Sequence, residues 1–300
     1  MKSVVSALSF PFSAANSRVN DYLTLTKPRI GTLVLLTTYV GAAMSSTGPL
    51  AVGLLIHTLI GTGLVAGGGA ALNQYLERVW DKRMRRTCDR PLPAGRLDPS
   101  SALVFGLALS LGGWIYLAIF TNLLTALLGV VANVTYVLVY TPLKRTTGWC
   151  IPVGAVAGAM PTLMGWAAAQ GQLGWGAFVI FGILYVWQLP HFIAIAWLYR
   201  EDYANAGFAM SDLIGREGRA AVLQIPIYAA ILALVASLPT FLGMTGSAYL
   251  IGASALSLGF MCLGLRPRGS DMTAYARRVF RASLVYLPLV MVWMMLCRAH

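Results

Sequence analysis

Nine apolar runs divide this chain, at approximately 30–47, 51–72, 101–119, 122–140, 150–168, 174–197, 221–242, 247–265 and 280–297. A helix of about 20 apolar residues crosses the roughly 30 Å hydrocarbon core of a bilayer. Inside that core every backbone N–H and C=O must find its partner within the segment, so runs of this length must be helical. The expectation is an all-α polytopic membrane protein of about nine transmembrane helices. Hydrophobic residues make up 58% of the chain and charged residues 11%, which leaves no soluble module between the spans.

A formal charge of +12 would point to nucleic acid in a soluble protein, but its distribution here gives another reading. With Lys27 and Arg29 inside and nine helices threaded from there, Lys and Arg fall at 2–29, 78–96, 144–145, 200–219 and 266–281, all on one side. Only Arg298 lies opposite, so 21 of 22 basic residues obey the positive-inside rule and no nucleic-acid partner is implied. The N-terminus and the polar loops are then cytoplasmic, in a bacterial inner membrane, and the C-terminus is outside. The opening "MKSVVSALSFPFSAANSR" imitates a signal peptide only faintly, since Pro11 breaks its apolar run. Residues 1–26 read as a loose cytoplasmic tail and 27–300 as one membrane domain. Cys88, Cys150, Cys262 and Cys297 show no CxxC spacing and no pairing logic.

All ten acidic residues share the basic side, although topology does not demand it. None sits in mid-span, which argues against an ion-coupled transporter. Asn73, Glu77 and Asp81 stand at four-residue steps, so on a continuing helix their side chains share one face. A carboxamide and two carboxylates are hard oxygen donors suited to Mg²⁺ held jointly with a phosphorylated substrate. A solvated helix end, with Glu77 paired to Arg78, Lys82 or Arg83, is the alternative from spacing alone. Arg83, Arg85, Arg86 and Arg90 follow directly, and arginine forks match phosphate oxygens. Pro91 and Pro93 then stop the helix. Acids and arginines together at a membrane surface read as a magnesium–diphosphate site.

A second loop, "LYREDYANAGFAMSDLIGREGR", carries Glu201, Asp202, Asp212 and Glu217 with Arg200, Arg216 and Arg219, and Tyr199 and Tyr203 flank its first acids. It serves equally as a salt-bridged connector. "YTPLKRTTGW" adds Lys144 and Arg145 beside Tyr140. His191, in "WQLPHFIAIAWLY", lies inside the sixth span about two turns before Tyr199. Lone histidines in apolar helices are more often packing than ligands. His57, farther toward the outer half, reads as structural.

These motifs resemble the UbiA-type intramembrane prenyltransferases. The four-step row Asn73, Glu77, Asp81 matches that superfamily's signature, and "DKRMRRTCDRPLPAGR", "YTPLKR", "GAVAGAMPTLMGW", "WQLPHF" and "YREDYANAGFAM" resemble its heme-modifying branch. Elsewhere in the superfamily a second Asp-x-x-x-Asp precedes an Ala-Gly pair; here Tyr199 and Tyr203 hold those positions, with Glu201 and Asp202 offset. The resemblance implies a helical bundle around an apolar chamber, and transfer of a farnesyl group from farnesyl diphosphate to a vinyl group of heme B. It implies catalytic roles for Asn73, Glu77, Asp81, Asp202, Tyr199 and Tyr203. Asn73, Glu77, Asp81 and Asp202 would bind Mg²⁺. Arg86, Arg90, Lys144, Arg145 and Arg200 would bind diphosphate, and His191 would contact heme. A heme A synthase or a terminal oxidase assembly would receive the product. The remaining readings are an aromatic or quinone prenyltransferase, a transporter, and a structural oxidase subunit.

Overall fold

The structure, a computed structural model, describes residues 17–45, 48, 50–209, 218–265 and 271–299. Asp212, Arg216 and Glu217 of the second loop lie outside the described residues, as does the side chain of Arg219. The elements are α1 (Ser17–Leu25), α2 (Pro28–Ser45), α3 (Val52–Asp81), α4 (Pro99–Phe120) and α5 (Leu123–Asn133). A π-wound segment, Val134–Tyr140, carries α5 into the short α6 (Thr141–Leu143). Then follow α7 (Cys150–Gln170), α8 (Trp175–Leu198), α9 (Arg200–Ala206), α10 (Arg219–Phe241), α11 (Ser247–Gly264) and α12 (Met272–Leu296). Among the described residues eight rods are long and apolar enough to cross a membrane, counting α5 through α6 as one, and the 18-residue α2 packs beside them without being one of the eight.

The rods form a closed bundle. α3 packs along α4 and α2, α2 along α7, α7 along α8, and α8 against both α10 and α12. α7 and α8 are the most enclosed spans, while α4, α10 and α11 turn most of their surface outward. Arg298 donates to the Ala43 carbonyl at 2.8 Å, tying the chain's end back to α2. Small residues permit the tightest crossings, as they do wherever helices pack without a hydrophobic driving force between them. A Cβ at Gly165 of α7 would overlap the Thr38 carbonyl of α2, so these two backbones touch only because glycine stands there.

α3 has 30 residues, about 45 Å of helix, and overshoots a bilayer core by several turns. That overshoot carries Glu77 and Asp81 out of the apolar layer on a rigid extension of a spanning helix. α12 likewise begins at Met272 rather than near residue 280, because Asp271 caps it by accepting from Ala274 N at 2.9 Å. One expectation is corrected. Residues 17–25, read as part of a loose tail, form α1 and are docked on α3. Leu25 is fully buried, Gln74 donates to the Thr24 and Leu25 carbonyls, and Asp21 pairs with Arg96 at 2.9 Å. Those partners lie in α3 and in the loop that follows it, 49 and 75 residues away, so no local pattern announces them.

Substituting Gly165→Ala should push α2 and α7 apart and cost about 1–3 kcal/mol of stability. A thermal melt in detergent checks this; an unchanged midpoint would show that the backbones are not in contact.

Candidate active-site cap

The α3 extension places Asn73, Glu77 and Asp81 in one row, and all three are buried, at 0%, 4% and 0% exposure. Polar groups this deep must be met by partners or they cost several kcal/mol each. Each is met by a cation from a different part of the chain. Lys27 donates to Asn73 Oδ1 at 2.9 Å, Lys144 to Glu77 Oε1 at 2.8 Å, and Arg90 to Asp81 Oδ2 at 2.6 Å. Asn73 also donates to Thr141 Oγ1 at 2.9 Å. One oxygen of the row, Asp81 Oδ1, is buried with no hydrogen-bond partner.

Local structure explains how each cation arrives. Arg90 returns to Asp81 through a chain of tight turns, in which the Thr87 hydroxyl donates to the Asp81 carbonyl at 2.8 Å. Pro91 and Leu92 then bury the far side of that loop. Lys144 follows α6, and the π-wound turn before it re-aims the helix, as such segments often do at functional sites. Tyr136 and Tyr140 stack on that turn at 5.6 Å, and the Lys144 ammonium lies 4.8 Å from the Tyr140 ring centre. Burial opposes the Lys144 charge, yet Glu77 beside it overrides that and holds the ammonium well above the ordinary lysine range. Lys27 sits at φ 51°, a left-handed conformation uncommon for a side-chain-bearing residue, immediately before Pro28. That backbone turn sends its ammonium toward Asn73 and to the Tyr136 hydroxyl, 3.3 Å away.

Arg86 joins a third loop to the cap. Its guanidinium lies 4.5 Å from the Tyr199 ring centre and 5.8 Å from that of Tyr203, whose hydroxyl accepts from it at 3.3 Å. The Lys144 carbonyl accepts from Ala209 N at 2.9 Å, drawing the segment after α9 onto the same cap.

Of the residues singled out in the sequence, the structure brings together Asn73, Glu77, Asp81, Arg86, Arg90, Lys144, Tyr199 and Tyr203. Arg145 instead lies over Trp80 at 4.0 Å, and Arg200 over Trp197 at 4.4 Å with a bond to the exposed Glu201. Asp202 is half-buried and has no polar partner among the described residues. Nor are three His, Cys, Asp or Glu side chains gathered for one ion among them, so the four-oxygen set that includes Asp202 is not assembled here. Sequence reasoning missed Lys27, Thr141 and Tyr136. Lys27 was visible only as a topological charge, and its Lys-Pro pair was the one local signal.

His191, on α8, lies about 12 Å along the axis from Tyr199. It is stacked between Trp187 at 5.0 Å and Phe280 at 5.1 Å. Its Nδ1 contacts Ser283 Oγ at 2.7 Å, and that hydroxyl already donates to the Phe280 carbonyl at 2.7 Å. A serine hydroxyl has one proton, so Nδ1 carries the imidazole hydrogen and donates. Nε2 is left with its lone pair and no partner among the described residues. His57, by contrast, bonds the Tyr116 hydroxyl at 2.8 Å and stacks on Phe120, a packing role.

Fold and site together define a multi-pass membrane protein whose polar chemistry is confined to a cap at one end of the bundle. The chain belongs to the UbiA prenyltransferase family, whose profile matches residues 34–295. It is 43% identical to the protoheme IX farnesyltransferase of Koribacter versatilis, over 99% of both chains. It is 45% identical to that of Solibacter usitatus, over 93% of this chain and 99% of the relative. Among solved structures it resembles a UbiA homologue from Archaeoglobus fulgidus bound to GPP and Mg²⁺, with TM-score 0.68 and 15% identity over 91% of this chain and 99% of that one.

Removing Lys144 alone should strand the buried Glu77 carboxylate. Lys144→Met is expected to cost about 3–5 kcal/mol, and Lys144→Met with Glu77→Leu to regain most of it. Chemical denaturation of both variants measures the difference; equal loss in the two would show that the pair is not coupled.

Proposed function

We propose that this protein transfers the farnesyl group of farnesyl diphosphate to a vinyl group of heme B, giving heme O and diphosphate. The observation that carries the reading is the buried oxygen row with a cation on each member, placed beside an aromatic, arginine-bearing loop. Near-full-length identity to two protoheme IX farnesyltransferases supports the choice of acceptor.

The residues fit a divalent ion. Asn73, Glu77 and Asp81 are oxygen donors, and Asp81 Oδ1 is a buried carboxylate oxygen lacking a protein partner. These three would hold Mg²⁺, and Asp202, which α9 carries apart from the row in this structure, would add a fourth oxygen only if α9 closes on it. When bound, the ion supplies positive charge against the leaving diphosphate. Arg90, Lys144 and Lys27 are then the cations available to diphosphate oxygens, with Arg86 beside them, and Arg145 and Arg200 would have to leave Trp80 and Trp197 to join them. The allylic C–O bond breaks with its electron pair leaving on diphosphate. The vinyl π pair forms the new C–C bond, and water adds to the resulting cation with loss of a proton. The Tyr199 and Tyr203 faces offer π density to a developing carbocation. His191 presents its Nε2 lone pair to the heme, held in that tautomer by Ser283. The one-sided distribution of basic residues supports a cap on the cytoplasmic face of a bacterial inner membrane, where a heme A synthase or an oxidase assembly would receive the product.

The direct test is to supply membranes holding the protein with farnesyl diphosphate and heme B, with and without Mg²⁺, and detect farnesylated heme by mass. Product is expected only with the metal. Asp81→Asn should lower kcat at least about 100-fold while the protein still inserts, and full turnover would remove Asp81 from the site. Arg90→Ala should raise KM for farnesyl diphosphate more than that for heme; an equal rise in both would contradict its role. His191→Ala should weaken heme binding with little change in farnesyl diphosphate binding, and normal heme affinity would end its assignment.

A further inference from the structure

A second feature lies away from the cap, on the outer wall of the bundle. A groove of about 830 Å³ runs between α11 and α12 and opens sideways toward the lipid. Its floor is the aromatic pair Phe260 and Tyr286, each 3% exposed, with ring centres 5.3 Å apart. Ser257 pins the Tyr286 hydroxyl at 2.9 Å, so the floor is fixed. Leu263, Val285 and Leu289 form exposed rims, and Gly259 leaves the trough open, since a Cβ there would meet nothing within 4 Å.

At the cap-side mouth stand Arg277, Arg278 and Arg281. They occupy one turn of α12, where like charges at such spacing repel. None of the three has an acidic partner among the described residues. Arg278 is held by the Leu263 and Leu265 carbonyls at 3.1 and 2.8 Å, which fixes a positive charge at the end of α11. Arg277 and Arg281 have no hydrogen-bond or ion-pair partner among the described residues. From Arg277 to Leu289 the groove covers about 18 Å of helix, close to the depth of one leaflet of a bilayer whose core is about 30 Å.

An apolar trough one leaflet deep, headed by three uncompensated arginines at the interface, matches one class of ligand in charge and length. We propose that the α11–α12 groove binds an anionic glycerophospholipid of the surrounding bilayer. Its phosphate sits on Arg277 and Arg281, and one acyl chain lies along Gly259 over Phe260 and Tyr286. The groove offers no carboxylate for a metal ion, which separates it from a prenyl diphosphate site.

The test uses the full chain in detergent, with native mass spectrometry counting retained lipid from matched dioleoyl phosphatidylglycerol and dioleoyl phosphatidylcholine. One phosphatidylglycerol should be retained in preference to phosphatidylcholine. Arg277→Gln with Arg281→Gln should weaken that retention by about 30-fold. Gly259→Phe, which fills the trough with both arginines intact, should also abolish it. Equal retention of the two lipids, or unchanged retention in both variants, would overturn the proposal. So would displacement by inorganic phosphate or farnesyl diphosphate at concentrations comparable to the lipid. None of these readouts depends on turnover, so the result stands apart from the proposed reaction.

Discussion

The cap exists because a helix end buries one carboxamide and two carboxylates, and each of these side chains must be met by a cation. Removing an ionised group from water costs several kcal/mol, and only a well-placed counter-charge offsets it. Lys27, Lys144 and Arg90 provide that offset at 2.9, 2.8 and 2.6 Å. Because those cations come from before α2, after α6 and after α3, satisfying the row forces three separated segments to converge. The fold of the cap is thus a consequence of electrostatics, while the bundle beneath it is a consequence of lipid. The two meet in α3, which is long enough to belong to both.

The same convergence makes the site suitable for chemistry on an anion. In the proposed reaction a set of oxygen donors already matched to cations would exchange those partners for a metal-bound diphosphate without exposing either charge alone. Arg86 brings two tyrosine faces to the same place, and His191 holds a nitrogen lone pair deeper in the bundle in a tautomer set by Ser283. Donor row, aromatic faces and imidazole follow one another from the cap toward the membrane interior. A substrate with a polar head and a long apolar tail would span that series.

Much of this was legible in the sequence, and the parts that were not share a cause. The spans could be read because lipid imposes length and apolarity on contiguous residues. The row at 73, 77 and 81 could be read because helical periodicity is local, and α3 does run through Asp81. Arg90 was within reach because a short Pro-ended loop returns it. Lys27 looked like one more positive-inside charge, since nothing near residue 27 reveals a partner 46 residues away. The Glu77 partner, 67 residues on, was named only as one basic residue among several. The docking of α1 escaped for the same reason, its anchors being Gln74 and Arg96. Arg145 and Arg200 were grouped with the diphosphate ligands by composition; in the structure each lies on a neighbouring tryptophan. Length and periodicity are written in neighbouring residues, whereas charge pairing is written in the tertiary fold.

Everything proposed for the cap turns on whether the α3 row gathers a divalent ion and a prenyl diphosphate together. Calorimetric titration of a non-hydrolysable farnesyl diphosphate analogue, with and without Mg²⁺, tests it most directly. Tight binding is expected only with the metal, with loss of that metal dependence when Asn73, Glu77 and Asp81 are replaced together. Binding of equal strength without Mg²⁺, unaffected by replacing the row, would contradict it.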